Sequence, residues 1–321
     1  MMLSHMPFSP FAINFNLAVT AVVLFYFISG YLMYGSFYKE FQKRPTKFLQ
    51  MINFYIKRFL RIFPLYWIVL SLTILILFLF GVPKYVALLQ QDVANFSKIF
   101  LNFILILNNY VFEPFTISVL LPHPLIPPTW SLSTEWHFYL LVPFFFYLLH
   151  RRFFIFIFIL FTSMIIEFVA FFFTHPLFNS DNFGYRYIFG VLWIFLFGFL
   201  TAYDYRSIWI KIIYTIIVFF ALFFMFIPAT HPFVREIVLG LLLTPVIRPL
   251  MKIDFALDPI FGMLSYPIFL SHFFVFDIVE QIIDPIRHKY LYFYTIFIAL
   301  LLFSLVLAAI QSRIDSIRRR Y

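Results

Sequence analysis

Phe59-Leu60-Arg61-Ile62-Phe63-Pro64-Leu65-Tyr66-Trp67-Ile68-Val69-Leu70-Ser71-Leu72-Thr73-Ile74-Leu75-Ile76-Leu77-Phe78-Leu79-Phe80-Gly81-Val82 carries a single charged side chain, Arg61, and is otherwise almost wholly apolar. A helix of about 20 such residues crosses the hydrocarbon of a bilayer, where a backbone must satisfy its own hydrogen bonds. The stretch therefore predicts a transmembrane helix. Runs of the same kind recur near 15–37, 133–149, 153–173, 187–204, 208–228, 235–250, 260–282 and 291–312. A shorter run, 98–112, is interrupted by Asn102, Asn108 and Asn109.

Composition agrees with that reading. Of the 321 residues, 64% are hydrophobic and 12% charged, against about 45–50% and about 25% in soluble domains. Surface-to-volume scaling leaves too much of that apolar surface outside a soluble fold. Aromatics make up 24%, with 52 Phe, which excludes a disordered chain. The expectation is an all-α, polytopic transmembrane helix bundle, a single membrane-embedded domain over 1–321 with no soluble domain. The net charge of +9 is carried by clusters between apolar runs, where basic residues orient a protein in the bilayer and do not read nucleic acid. The partner expected of such a surface is the lipid bilayer, with no nucleic acid. The absence of Cys excludes disulfides, thiol nucleophiles and Cys-ligated zinc. No removable signal peptide is legible at the N-terminus. Phosphate loops, dinucleotide fingerprints, zinc helices and nucleophile elbows are all missing, and no metal is expected.

Loop charges set the topology. Lys39, Lys43, Arg44, Lys47, Lys57, Arg58 and Arg61 place the connection after the first run in the cytoplasm. If 98–112 does not cross, His150-Arg151-Arg152, Arg206 with Lys211, Arg248 with Lys252, and the tail Arg313, Arg318, Arg319, Arg320 are cytoplasmic as well. The expected arrangement is therefore about nine spans and an outward lobe over 83–130 holding a short re-entrant or surface helix. The C-terminus is cytoplasmic, with a basic tail over 313–321, and the N-terminus lies outside.

Four polar sites stand at membrane depth, where ionisable groups default to functional hypotheses. Arg58 and Arg61 share one helix face and form a fork suited to phosphate oxygens, or else anchor the helix by the positive-inside rule. In Trp130-Ser131-Leu132-Ser133-Thr134-Glu135-Trp136-His137-Phe138-Tyr139, Glu135 falls in the expected first turn. It is either part of a capping box or a carboxylate at the outer face, with Tyr139 on the same side. His272, in Ser265-Tyr266-Pro267-Ile268-Phe269-Leu270-Ser271-His272, is either a satisfied buried histidine or a proton-handling group. Glu167, Asp277 and Glu280 either pair internally or lie near an interface. His5, by itself, is an N-terminal histidine of no special meaning.

In this order the segments resemble the acyltransferase family 3 membrane proteins, which O-acylate glycans and other extracytoplasmic acceptors. Phe25-Tyr26-Phe27-Ile28-Ser29-Gly30-Tyr31-Leu32-Met33 is similar to the family's F-F-x-x-S-G-F-L-[IM]. Arg58-Phe59-Leu60-Arg61-Ile62-Phe63-Pro64-Leu65-Tyr66 is similar to its R-x-x-R-I-x-P-x-Y. Trp130–Tyr139 resembles its W-S-L-S-x-E-x-x-F-Y, and Ser265–His272 its late [GS]-x-x-x-[FY]-L-x-H. The family has ten spans with both ends cytoplasmic. The expectation is thus that the first span is missing here, through a truncated or misassigned start.

The resemblance implies transfer of an acyl group, usually acetyl, from cytoplasmic acyl-CoA to a hydroxyl of an extracytoplasmic carbohydrate or lipid-linked glycan, in the inner or plasma membrane. Acyl-CoA is then a co-substrate, with no permanently bound cofactor. Arg58 and Arg61 would hold the coenzyme A phosphates. His5 matches the family's essential histidine as general base or transient acyl carrier, with Glu135 orienting it or binding the acceptor. Ser131, Ser133, Tyr139 and His272 are weaker substrate-binding candidates. Two other readings remain at this point: a carrier or flippase for a lipid-linked glycan, and an inactive remnant lacking the first span.

Overall fold

The computed structural model describes residues 17–80, 129–170, 186–204, 207–226, 234–250 and 258–319, with isolated positions between them. His5 and nearly all of the expected outward lobe lie outside the described residues. Among the described residues the regular structure is α-helical and no strand occurs. The helices are α1 (Leu17–Lys43), α2 (Lys47–Phe80), α3 (Thr129–Arg151), α4 (Phe153–Ala170), α5 (Ile188–Asp204), α6 (Ile208–Met225), α7 (Val234–Leu250), α8 (Asp258–Glu280) and α9 (Lys289–Arg318). Each coincides with one of the apolar runs.

Among the described residues, five stretches are long and apolar enough to cross a membrane: Val19–Lys43, Lys47–Ile76, Ile208–Met225, Asp258–Glu280 and Lys289–Arg318. Phe153–Val169 and Ile188–Asp204 are apolar but shorter. Phe154, Phe158 and Phe219 are exposed, an outward surface that suits hydrocarbon and not water.

The helices run further than the apolar runs do. α1 continues through Lys39 to Lys43 and α2 begins at Lys47, so the expected basic connection shrinks to Arg44, Pro45 and Thr46. Gln50 closes the turn by donating from Nε2 to the Arg44 carbonyl at 2.8 Å. Arg58 and Arg61 consequently lie inside a continuous helix, not at its start. α3 likewise begins at Thr129, whose hydroxyl donates back to the Ile126 carbonyl at 2.7 Å. Glu135 therefore falls beyond the first turn, and the capping-box reading of it is incorrect. Hydropathy excludes the polar Thr129 and Ser131, so it places the helix start too late.

The described residues fall into two compact units. One joins residues up to Phe54 with Ser133–Ile253, and the other joins Tyr55–Leu132 with Asp254–Tyr321. In the first unit α1 packs against α5 and α7, α4 against α5, and α6 against α7. A Cβ added at Gly30 would run into the Phe195 carbonyl of α5, and one at Gly198 into the Phe27 carbonyl of α1. The two missing side chains let the backbones of α1 and α5 touch, the use of small residues expected between membrane helices. In the second unit α8 packs on α9, and the Tyr266 hydroxyl donates to the Ile62 carbonyl of α2 at 2.7 Å.

Candidate functional site

Among the described residues two polar clusters concern the expected site residues, one in each unit. In the first, close approach at Gly30 fixes the neighbouring Ser29 on α1. Its hydroxyl donates to Oε1 of Glu135 at 2.9 Å. Tyr139, one turn along α3 from Glu135, donates to the same oxygen. Glu135 is 8% exposed, Tyr139 4% and Ser29 4%. Two hydroxyl donors on one carboxyl oxygen lock the side chain in a single orientation, which lets it act as a fixed acceptor for an N–H or O–H group. Ser131 and Ser133 are also buried. On the same helix, the Thr134 hydroxyl donates to the Arg186 carbonyl.

Glu167, in α4, is fully buried and accepts from the Trp193 indole of α5. Of its two sequence readings the internal pairing holds. Glu280 pairs internally too, accepting from the Tyr292 hydroxyl at 3.0 Å.

The second cluster surrounds Arg61. Its guanidinium lies 5.7 Å from the centre of the Tyr266 ring, a cation–π distance. Nη1 of Arg61 is 3.7 Å from Oδ2 of Asp315. Asp315 in turn reaches Nη2 of Arg318 at 3.3 Å, and Arg58 lies within electrostatic range of Arg318. Arginine-rich and only partly exposed, the cluster suits a multiply charged oxyanion. His272 stands almost two turns further along α8 from Tyr266 and is 1% exposed. Its Nδ1 lies 2.7 Å from the Phe269 carbonyl. A carbonyl only accepts, so Nδ1 carries a proton and donates to it.

Glu135 and Tyr139 are thus brought together, and so are Arg58 and Arg61, the latter pair joined by residues that sequence reasoning missed. Ser29 and Tyr266 stood inside recognised motifs without being singled out. Asp315 and Arg318 signalled only through their spacing of three residues, which puts them on one helix face.

A family model described as an acyltransferase domain, that of acyltransferase family 3, matches residues 1–310. An uncharacterized protein of Aquifex aeolicus (strain VF5) is 32% identical over 212 residues, covering 60% of this chain and 89% of that protein. No solved structure matches the chain.

Proposed function

The chain belongs to acyltransferase family 3, and from that premise we propose that it moves an acyl group such as acetyl from cytoplasmic acyl-CoA to a hydroxyl of an extracytoplasmic carbohydrate or lipid-linked glycan. It is a multi-pass membrane protein. About nine spans and a cytoplasmic C-terminus in the inner or plasma membrane belong to this proposal. The observation that carries it is the Arg61 cluster, where guanidiniums gather at partial burial beside Tyr266. Coenzyme A is too highly charged to enter lipid, so a donor site needs such a phosphate dock while its thioester reaches inward.

The reaction is nucleophilic acyl substitution. The acceptor oxygen attacks the thioester carbonyl, a C–O bond forms and the C–S bond breaks. The hydroxyl proton passes to a base, for which His5 is the candidate, and from there to the departing thiolate, giving free coenzyme A thiol. If the histidine first carries the acyl group, the same atoms are exchanged in two steps. Glu135, held by Ser29 and Tyr139, would orient that histidine or the acceptor hydroxyl. Ser131, Ser133 and His272 remain candidates for lining the substrate path.

The test is a single-turnover experiment with protein reconstituted in membrane and acetyl-CoA labelled in the acetyl group. The expected result is release of coenzyme A thiol together with label on the protein or an added glycan acceptor. Thiol release that is absent in wild type, with transport of a lipid-linked glycan in its place, would mark a carrier and overturn the proposal.

A further inference from the structure

Asp315 stands between two guanidiniums, 3.7 Å from Arg61 and 3.3 Å from Arg318. Nε2 of Gln311 donates to its Oδ1 at 2.9 Å. Arg58 and Arg319 are also within electrostatic range of Arg318. Among the described residues, the Asp315 carboxylate is thus shared by the guanidiniums of Arg61 and Arg318. The ion pairs are looser than the roughly 2.7–2.9 Å of a charge-assisted hydrogen bond. Arg61, Arg318 and Asp315 have side-chain exposures of 31%, 25% and 19%, so an anion has access.

The helix face adds a second argument. Gln311, Asp315 and Arg318 follow the i, i+4, i+7 stripe of α9, whereas Arg313 is exposed. Arg318 turns towards Arg61 and Arg58 although like charges repel, and Asp315 is the carboxylate that holds it there. Gathering them around one exchangeable carboxylate suits an oxyanion site.

We propose that Arg318 is a third phosphate ligand of the donor site and that Asp315 is an internal stand-in, giving up its place between Arg61 and Arg318 when the coenzyme A phosphates bind. The inference rests on the acyl-CoA reading above. It makes Asp315 a competitor of the donor, so removing its charge strengthens binding, whereas a purely structural clamp would have the opposite effect.

The experiment is equilibrium binding of coenzyme A to the full chain in lipid nanodiscs, for wild type, Arg61→Gln, Arg318→Gln and Asp315→Asn. Arg318→Gln is expected to raise Kd about tenfold, as loss of a hydrogen bond to a charged group implies. Asp315→Asn is expected to lower Kd. The wild-type Kd should also rise more steeply with salt than that of Arg318→Gln. If Arg318→Gln does not give monodisperse protein, Arg318→Lys is read in its place: it keeps the charge but loses the fork, and an unchanged Kd then counts against the proposal. Weakening by Arg61→Gln with Arg318→Gln at the wild-type value overturns the inference and leaves the donor reading standing. A higher Kd in Asp315→Asn overturns the stand-in role. A wild type that binds no coenzyme A overturns the donor reading itself.

Discussion

The hydroxyl of Ser29 donates to Oε1 of Glu135 at 2.9 Å, joining α1 to α3 at a buried carboxyl oxygen that also accepts from Tyr139. Two sequence elements that read as separate motifs are one structural unit. If the orientation of Glu135 matters to acyl transfer, weakening its donors must weaken the reaction before it weakens the fold. Ser29→Ala is therefore expected to lower the transfer rate about tenfold, since each bond contributes on the order of 1–2 kcal/mol. Tyr139→Phe should do about the same. The double variant should lose more than the product of the two, because either donor alone still partly restrains the oxygen. Initial rates with labelled acetyl-CoA, taken alongside thermal unfolding, check this. A rate that falls only in proportion to folded protein would reduce the pair to a structural contact.

The contact beneath that pair gives a sharper stability prediction. Gly30 faces the Phe195 carbonyl and Gly198 the Phe27 carbonyl, whereas nothing lies within 4 Å of a Cβ added at Gly35. Gly30→Ala and Gly198→Ala must push two backbones apart and should each destabilise by about 1–3 kcal/mol or more. Gly35→Ala, on the same helix as Gly30, should be neutral or stabilising by up to about 1 kcal/mol. Fluorescence-detected gel filtration of heated, detergent-solubilised protein distinguishes them. Equal losses at Gly30 and Gly35 would contradict the close approach of α1 and α5.

How far the chain could be read without its structure follows from what each signal measures. The apolar runs coincide with helices because an apolar segment in lipid has no alternative partner for its backbone. Hydropathy misplaces the helix ends because it records composition. Lys39, Lys43, Lys57 and Arg58 are good helix formers that carry α1 and α2 onward although they end the apolar pattern. Hydropathy puts Glu135 in the first turn for the same reason. The pairings were not legible at all: nothing in the sequence says that Ser29 meets Glu135, or that Asp315 meets Arg61. In sequence Arg318 resembles an orienting charge at the end of a helix, and only its packing shows that it turns inward.

Glu167 and Trp193 provide a control for the functional cluster. Both are fully buried, and the indole donates to the carboxyl group. Trp193→Phe keeps most of the aromatic volume but removes the donor, leaving a buried acceptor short of a bond. The expected cost is about 1–3 kcal/mol of stability. Activity per folded molecule should stay unchanged. Glu167→Gln, which retains a side-chain carbonyl to accept the indole N–H, should be milder. Thermal unfolding combined with single-turnover rates tests both statements. A loss of rate in Trp193→Phe at full folding would move Glu167 into the reaction.

Tyr266 links the late motif to the arginine motif by two separable contacts: its hydroxyl holds the Ile62 carbonyl at 2.7 Å, and its ring lies 5.7 Å from the Arg61 guanidinium. Tyr266→Phe removes the first and keeps the second, whereas Tyr266→Leu removes both. A cation–π contact at partial exposure contributes about 0.5–2 kcal/mol, and here it steers a guanidinium that Asp315 pulls from another side. Tyr266→Phe should therefore lower thermal stability with little change in KM for acetyl-CoA. Tyr266→Leu should raise that KM about threefold to tenfold at a similar kcat. The split between KM and kcat carries the argument, because an aromatic ring serving only to pack α8 against α2 would change stability and folded fraction without altering affinity for the donor. Equal KM values for the Phe and Leu variants would show that the ring does not position Arg61.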